Sequence, residues 1–386
     1  MQNIAELSTL WNSLALFRGL RNTPLGMRLT ELFAHDPITV DTSAALAAEI
    51  YSLGIADFGL ALRQLALRDD NLMVRRSALF VEGTLAMELQ RELAALSKIS
   101  EFAADGFPLW DATPQDFETI YADFLHELPR KGFGTLAEHA MFTWEDGHLV
   151  PVLFPDPQRL GGLYGYEREQ RPVIENIQAL LAGQGAAHVL LYGDAGTGKS
   201  SLVKAMANEY LEEGLRLVEL KRDQLRELPA LMAHLAALPL KWILFLDDLS
   251  FAPGEAEFAA LKAALEGGAG RCAGNCAIHA TSNRRHMVRE GMAEREGDDV
   301  HLADTLQEQQ SLSARFGLSV GFRRPEKEEY LALVRAVAEE CGLAAQLNEL
   351  YALAEREALR RGGRTPRLAR QVVEGQARRL TEHEAV

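Results

Sequence analysis

The sequence predicts an α/β fold: a parallel sheet wrapped by helices, with a mainly helical region before it and a small helical lid after it. Three observations carry this reading. Short apolar runs alternate with helical segments from residue 163 to residue 324, and a glycine-rich loop ending in Lys199-Ser200 joins one such run to a helix. In both flanking regions, apolar residues recur at three- and four-residue steps. The chain has 386 residues, enough for two or three domains. Its 47% hydrophobic, 25% charged and 7% aromatic residues are those of ordinary globular proteins, which excludes disordered, collagenous and coiled-coil classes.

Residues 1–140 read as a helical domain. Leu7, Leu10, Trp11, Leu14 and Phe17 mark one face of a first helix, and Ala44–Leu67 and Ala78–Leu96 read as further helices. Asp36-Pro37 and Asp69-Asp70-Asn71 punctuate them. These stripes describe a bundle core or a surface for a protein partner, with no catalytic constellation. Residues 141–162 read as a hairpin turning at Asp146-Gly147 and a linker marked by Pro151, Pro155, Pro157, Gly161 and Gly162. Residues 163–324 form the α/β core, with strands expected at His188–Tyr192, Arg216–Leu220, Trp242–Leu246, Cys276–Thr281 and Leu318–Phe322. Residues 325–386 are the helical lid.

Three cysteines cannot form a stapling framework, the start lacks a basic region before an apolar core, and no run of eighteen uncharged apolar residues occurs. The expectation is a cytoplasmic protein with no membrane segment. A net charge of −15 gives no global attraction for nucleic acid, so any such contact needs a local basic patch. Residues 356–379 supply one, with Arg356, Arg360, Arg361, Arg364, Arg367, Arg370, Arg378 and Arg379 against Glu357 and Glu374.

The strongest chemical signal is Gly193-Asp194-Ala195-Gly196-Thr197-Gly198-Lys199-Ser200, between the buried run Val189–Tyr192 and a helix beginning near Ser201. Glycines let backbone N–H groups turn inward around an anion, the helix start adds partial positive charge, and Lys199 adds a full one. The ligand this shape wants is phosphate, held from Gly193 through Ser201, with the Ser200 hydroxyl on Mg²⁺. A nucleotide-bound metal needs a carboxylate at the end of a neighbouring strand, and Ile243-Leu244-Phe245-Leu246-Asp247-Asp248 offers two. Asp247 is the expected Mg²⁺ anchor, through water; Asp248 would orient or deprotonate the attacking water. Asn283, ending the next strand, would point its amide toward the γ-phosphate. Arg315, just before the last strand, could face a neighbouring subunit's nucleotide. In Gly363-Arg364-Thr365-Pro366-Arg367, Thr365 is cap-like and Pro366 opens a helix, so Arg367 could reach the phosphates from the lid.

These residues in this order resemble the AAA+ superfamily of ring-forming ATPases: Walker A at 193–200, Walker B at 243–248, sensor 1 at Asn283, an arginine finger at Arg315 and sensor 2 at Arg367. The Gly-Arg-Thr-Pro-Arg-Leu-Ala stretch resembles the sensor 2 of Holliday-junction branch-migration motors. Leu190–Lys204, Asp247–Phe251, Ala280–His286 and Ser311–Gly317 together resemble more closely the bacterial family catalogued as domain of unknown function 815, over residues 140 to 380. The resemblance implies an α/β P-loop NTPase of AAA+ type that binds ATP with Mg²⁺, forms a homo-oligomer as a ring or partial ring, and contacts adenine through Tyr164 and Tyr166. Two departures matter. Asp248 stands where many such motors carry Glu, which implies slow turnover, and Lys221–Leu225 lacks the aromatic–apolar pair of threading unfoldases.

The function expected is an Mg²⁺-dependent ATPase acting at subunit interfaces on a protein partner reached through the N-terminal domain. An ATP-dependent switch that barely hydrolyses is the first alternative, and a nucleic-acid motor the second. Cys272, Cys276, His279 and His286 suggest zinc by spacing alone, but strand alternation would separate them. Arg285–Gln310 reads as a solvated loop and helix face.

Overall fold

Polar caps divide the N-terminal region into short helices: α1 (Ile4–Asn12), α2 (Pro24–Phe33), α3 (Val40–Ser52), α4 (Phe58–Arg68), α5 (Leu72–Arg75), α6 (Thr84–Ser100), α7 (Phe117–Lys131) and α8 (Thr135–Glu138). Asn3, Thr23, Thr39, Asp57 and Asp116 each accept a backbone N–H three residues on, which satisfies a donor the first helical turn would leave orphaned. The computed structural model describes residues 3–35, 37–75, 82–103, 110–251, 255–265, 274–283 and 314–384. Contacts divide the chain into Met1–Glu138 with Ala237–Leu240, and His139–Ala236 with Lys241–Val386.

In the first unit, two sequence expectations are corrected. The helix expected over Ala44–Leu67 is two helices, because Gly54 turns left-handed at φ 74° and Asp57 starts a new cap. The first stripe is also interrupted. α1 ends at Asn12, and Leu14 and Phe17 are buried from the loop beyond it. The fully buried Glu92 of α6 accepts the N–H groups of Ala15, Leu16 and Phe17 at 2.6, 3.0 and 3.0 Å, so this loop can sit in the core without orphaned donors. Trp11, Phe17, Phe58, Phe102, Phe117 and Tyr121 fill that core. Asp36 and the first residues of the helix expected at Ala78–Leu96 lie outside the described residues.

The second unit is built on seven strands: β1 (Met141–Glu145), β2 (His148–Pro151), β3 (Val189–Gly193), β4 (Leu215–Leu220), β5 (Lys241–Leu246), β6 (Cys276–Ser282) and β7 (Leu318–Phe322). Their order is β2-β1-β4-β5-β6-β3-β7, parallel throughout except for the β1–β2 hairpin. β5 is almost wholly apolar after Lys241, and β6 is buried along its whole length although it carries His279, Thr281 and Ser282, as befits central parallel strands covered on both faces. The hairpin is not a free linker: Met141, Phe142 and Thr143 pair with Leu217, Val218 and Glu219 and extend the sheet. Nor is β5 next to the loop-bearing β3, since β6 lies between them. Their connecting helices are α9 (Glu167–Leu181), α10 (Lys199–Glu209), α11 (Leu228–Ala236) and α12 (Ala256–Leu265).

The last strand leads into α13 (Lys327–Glu340), α14 (Leu347–Arg360) and α15 (Pro366–Glu384), the expected lid. Tyr330, Val334, Leu350, Ala354, Leu368 and Val373 give these helices a core of their own. Among the described residues, no helix is long and apolar enough to cross a membrane.

Candidate functional site

Parallel strands all point the same way, so the loops that follow them gather at the C-terminal edge of the sheet. There β3 turns into α10 through the glycine loop. Gly193 holds φ 129°, and a Cβ on it would meet the carbonyl oxygen of its register partner Phe322 at 2.0 Å, so only glycine permits this close approach to β7. Thr197 donates its hydroxyl to the Asp194 carbonyl at 2.8 Å, which closes the loop. The loop is also tied to the segment beyond β7 and to the lid. Arg324 donates its backbone N–H to Asp194 at 3.2 Å, places its guanidinium 3.3 Å from the same carboxylate, and donates to the Gly362 carbonyl at 2.7 Å.

Lys199 is 6% exposed, with its ammonium donating to the Gly193 and Asp194 carbonyls at 2.9 and 2.7 Å and standing 3.5 Å from Asn283 Oδ1. Burial lowers its pKa, against the opposing pull of Asp194, Asp248 and Asp247. Ser200 donates its hydroxyl to Asp247 Oδ1 at 2.6 Å. The same oxygen receives the Thr281 hydroxyl at 2.6 Å, and Asn283 donates its amide to Asp248 Oδ1 at 2.7 Å. The tips of β5 and β6 therefore meet the loop at one point. Asp248 sits at φ 50°, a left-handed backbone uncommon for residues other than glycine, though aspartate is among those that tolerate it best.

These groups line one cavity of about 590 Å³, whose wall also includes Leu163, Tyr164, Tyr166, Leu333 and Val337. Gln170, also in the lining, donates to the Leu163 and Gly165 carbonyls at 3.3 and 2.7 Å and fixes that segment of the wall. Tyr166 stacks 5.4 Å from Phe322 and donates its hydroxyl to the Arg323 carbonyl at 2.7 Å, so much of it is structural; burial raises its pKa. Tyr164 packs on the lid core, its pKa raised by burial and then by Glu340. Arg367 enters from α15, its N–H donating to the Gly196 carbonyl at 3.3 Å. The cavity's size and mixed lining suit a nucleotide. The hard hydroxyl and carboxylate oxygens of Ser200 and Asp247 beside Lys199 suit a magnesium-bound phosphate.

Of the residues expected from sequence, Ala195 through Ser201, Asp247, Asp248, Asn283, Arg367, Tyr164 and Tyr166 all line this cavity, and Gly193 and Asp194 form its loop. Arg315 stands before β7 and is not among the lining residues. Three contributors were missed. Thr281 lay hidden in an apolar strand reading; Arg324 comes after β7 without a motif; and Arg370 lines the cavity while donating to the Gly162 carbonyl at 3.1 Å. The basic stretch on the lid is largely paired within it: Arg360 and Arg361 with Glu357, Arg364 with Glu355, Arg370 with Glu340 and Glu374, Arg378 with Glu374. Of the zinc-spaced residues, Cys272 and His286 lie outside the described residues, as does Arg285–Gln310. Among the described residues, no group of three or more candidate ligands could hold a metal on its own.

Strand order, glycine loop and the following helix together define an α/β protein of the P-loop class, with a helical lid after its last strand. Residues 137–380 match the model of the family described as "Protein of unknown function (DUF815)", and the chain belongs to that family. It is similar to the replication factor C large subunit of Staphylothermus marinus, 30% identical over 117 residues, which are 28% of this chain and 27% of that relative. Among solved structures it is similar to a RuvB mutant of Thermotoga maritima, with 17% identity, TM-score 0.38, and coverage of 56% of this chain and 64% of that one. For the Thermotoga maritima RuvB Holliday junction branch migration motor the values are 15%, 0.31, 56% and 72%.

Proposed function

We propose that this chain binds ATP with Mg²⁺ in the cavity above the sheet and hydrolyses it slowly at the interface between copies of itself, driving a conformational change in a protein partner. The observation that carries the reading is the convergence of Ser200 and Asp247, 2.6 Å apart, beside the buried Lys199. In this reading Gly193 through Ser201 cradle the phosphates, Lys199 neutralises the terminal ones, and Ser200 and Asp247 hold the metal, which supplies charge stabilisation when bound. Asp248 orients the attacking water, Asn283 fixes Asp248, and Arg367 closes from the lid. Arg315 serves a neighbouring copy's site in a ring or partial ring, the N-terminal unit receives the partner, and the cytoplasm is the setting.

The test is fluorescent-nucleotide binding and phosphate release, with and without Mg²⁺, for the full chain and for Lys199→Ala. The reading expects Mg²⁺-dependent binding, release that rises with protein concentration, and a loss of about 10²-fold or more in the variant. Folded protein without Mg²⁺-dependent affinity for ATP refutes it. A second reading, an ATP-bound switch with little turnover, is favoured by Asp248: its short arm is already engaged by the Asn283 amide at 2.7 Å. Tight binding without phosphate release would select it. Against the nucleic-acid motor, five of the eight lid arginines, Arg360, Arg361, Arg364, Arg370 and Arg378, pair with neighbouring carboxylates.

A further inference from the structure

β6 separates the loop-bearing strand from the strand that ends in the two aspartates, so the side chains at its tip can touch both. Thr281 does so. It is 2% exposed and pairs in register with Leu191 of β3. Its hydroxyl donates to Asp247 Oδ1 at 2.6 Å and accepts the backbone N–H of Asp248 at 2.8 Å. A hydroxyl has one proton, so these two bonds fix its direction: the proton goes to Asp247 and a lone pair receives Asp248. Asp247 Oδ1 also takes the Ser200 hydroxyl at 2.6 Å. With two donors on Oδ1, the carboxylate's plane is set and Oδ2 is the oxygen left for a cation or its water.

The second bond acts on a residue with an uncommon backbone. Asp248 is held at φ 50°, and its N–H would otherwise face a buried strand tip. Accepting that N–H is what lets the chain turn there and present the Asp248 side chain to Asn283, 2.7 Å away. One side chain thus sets the orientation of the expected metal anchor and the backbone of the expected water-orienting acid.

We infer that Thr281 is the positioning residue of this site, coupling Asp247 and Asp248 through its hydroxyl so that metal binding and water orientation are established together. The inference rests on the nucleotide-site reading given above. Thr281→Val keeps the shape and removes both bonds; Thr281→Ser keeps both bonds and removes a methyl.

The decisive measurement is the Mg²⁺ concentration giving half-maximal binding of a fluorescent ATP analogue to the full chain, alongside binding in EDTA and phosphate release. Lost outer-shell partners cost on the order of 10–100-fold in metal affinity or activity. The valine variant should therefore need about tenfold more Mg²⁺ or beyond, release phosphate at least about tenfold more slowly, and bind the analogue in EDTA as the wild type does. Serine should restore both properties. If valine does not fold, Thr281→Ala carries the same expectation. A valine or alanine variant with the wild-type Mg²⁺ requirement overturns the inference. So does one whose affinity falls equally with and without Mg²⁺, since that is structural damage alone. Wild-type protein that binds no nucleotide removes the parent reading as well, and is distinguished by failing before any variant is compared.

Discussion

His279 offers a test of how the sheet beneath the site is stabilised. It lies in the middle of β6, in register with Val189 of β3 and Phe245 of β5, and is 0% exposed. Neither ring nitrogen has a hydrogen-bond partner among the described residues. Burial, with a smaller contribution from His188, lowers its pKa from 6.5 to about 3. Because the folded value lies below the unfolded one, the unfolded chain binds more protons between those limits, and acid favours unfolding there. At pH 5 an unfolded imidazole is almost fully protonated and the folded one is not, a difference of about 2 kcal/mol; at pH 7 it is about 0.2 kcal/mol. His279→Leu removes this term. Urea unfolding of both proteins at pH 7 and pH 5 reads it out as a difference of differences: the wild type should lose about 2 kcal/mol more than the variant. His188, whose pKa burial also lowers and whose Nδ1 accepts the Ile278 N–H at 3.0 Å, contributes in both proteins and largely cancels. At pH 7 leucine should be neutral or stabilising, because two unpaired nitrogens leave the core. Stability curves that run parallel between the two pH values refute the reasoning.

Gly193→Ala should abolish nucleotide binding and lower the melting temperature, since the added Cβ would meet the Phe322 carbonyl at 2.0 Å in a left-handed backbone; calorimetry and the binding assay check both. Glu92→Ala strands three backbone N–H groups and should cost about 3 kcal/mol, seen as an earlier urea transition; a loss below about 1 kcal/mol would mean the Ala15–Phe17 loop finds other partners. Arg324→Ala should separate function from stability. Its ion pair with Asp194 is half exposed, so unfolding should change by no more than about 1 kcal/mol, while loss of the tie between loop and lid weakens nucleotide binding about tenfold in a titration.

How much of the fold and site was legible in the sequence depends on the range of the forces involved. The glycine loop, Lys199, Ser200 and the strand ending in Asp247 are local patterns, set by backbone conformation and strand periodicity within a few residues, and each was readable. The five core strands were readable for the same reason. Glu92 was not: its partners lie 75 to 77 residues away, and a glutamate on a helix gives no sign that it will be buried. Thr281 was hidden because a threonine in an apolar strand fits β propensity without any role. The break at Leu53–Asp57 was missed because apolar periodicity was extended across a left-handed glycine.

Charge along the lid shows why composition misleads even when it is counted correctly. Eight arginines within residues 356–379 form a basic stretch in one dimension, facing only two glutamates. In three dimensions Glu340 of α13 and Glu355 of α14 reach Arg370 and Arg364, so the balance is set by neighbouring helices. Arg370 illustrates the consequence. Burial lowers its pKa, but Glu340 and Glu374 outweigh that and raise it overall, so a full charge is kept at the cavity wall and bound to the Gly162 carbonyl. A guanidinium so anchored has little freedom to grip a passing polyanion. It ties α15 instead to Gly162, in the segment that leads to Tyr164. Arg370 is thus better placed to join the lid to the cavity wall than to present its charge to a second macromolecule.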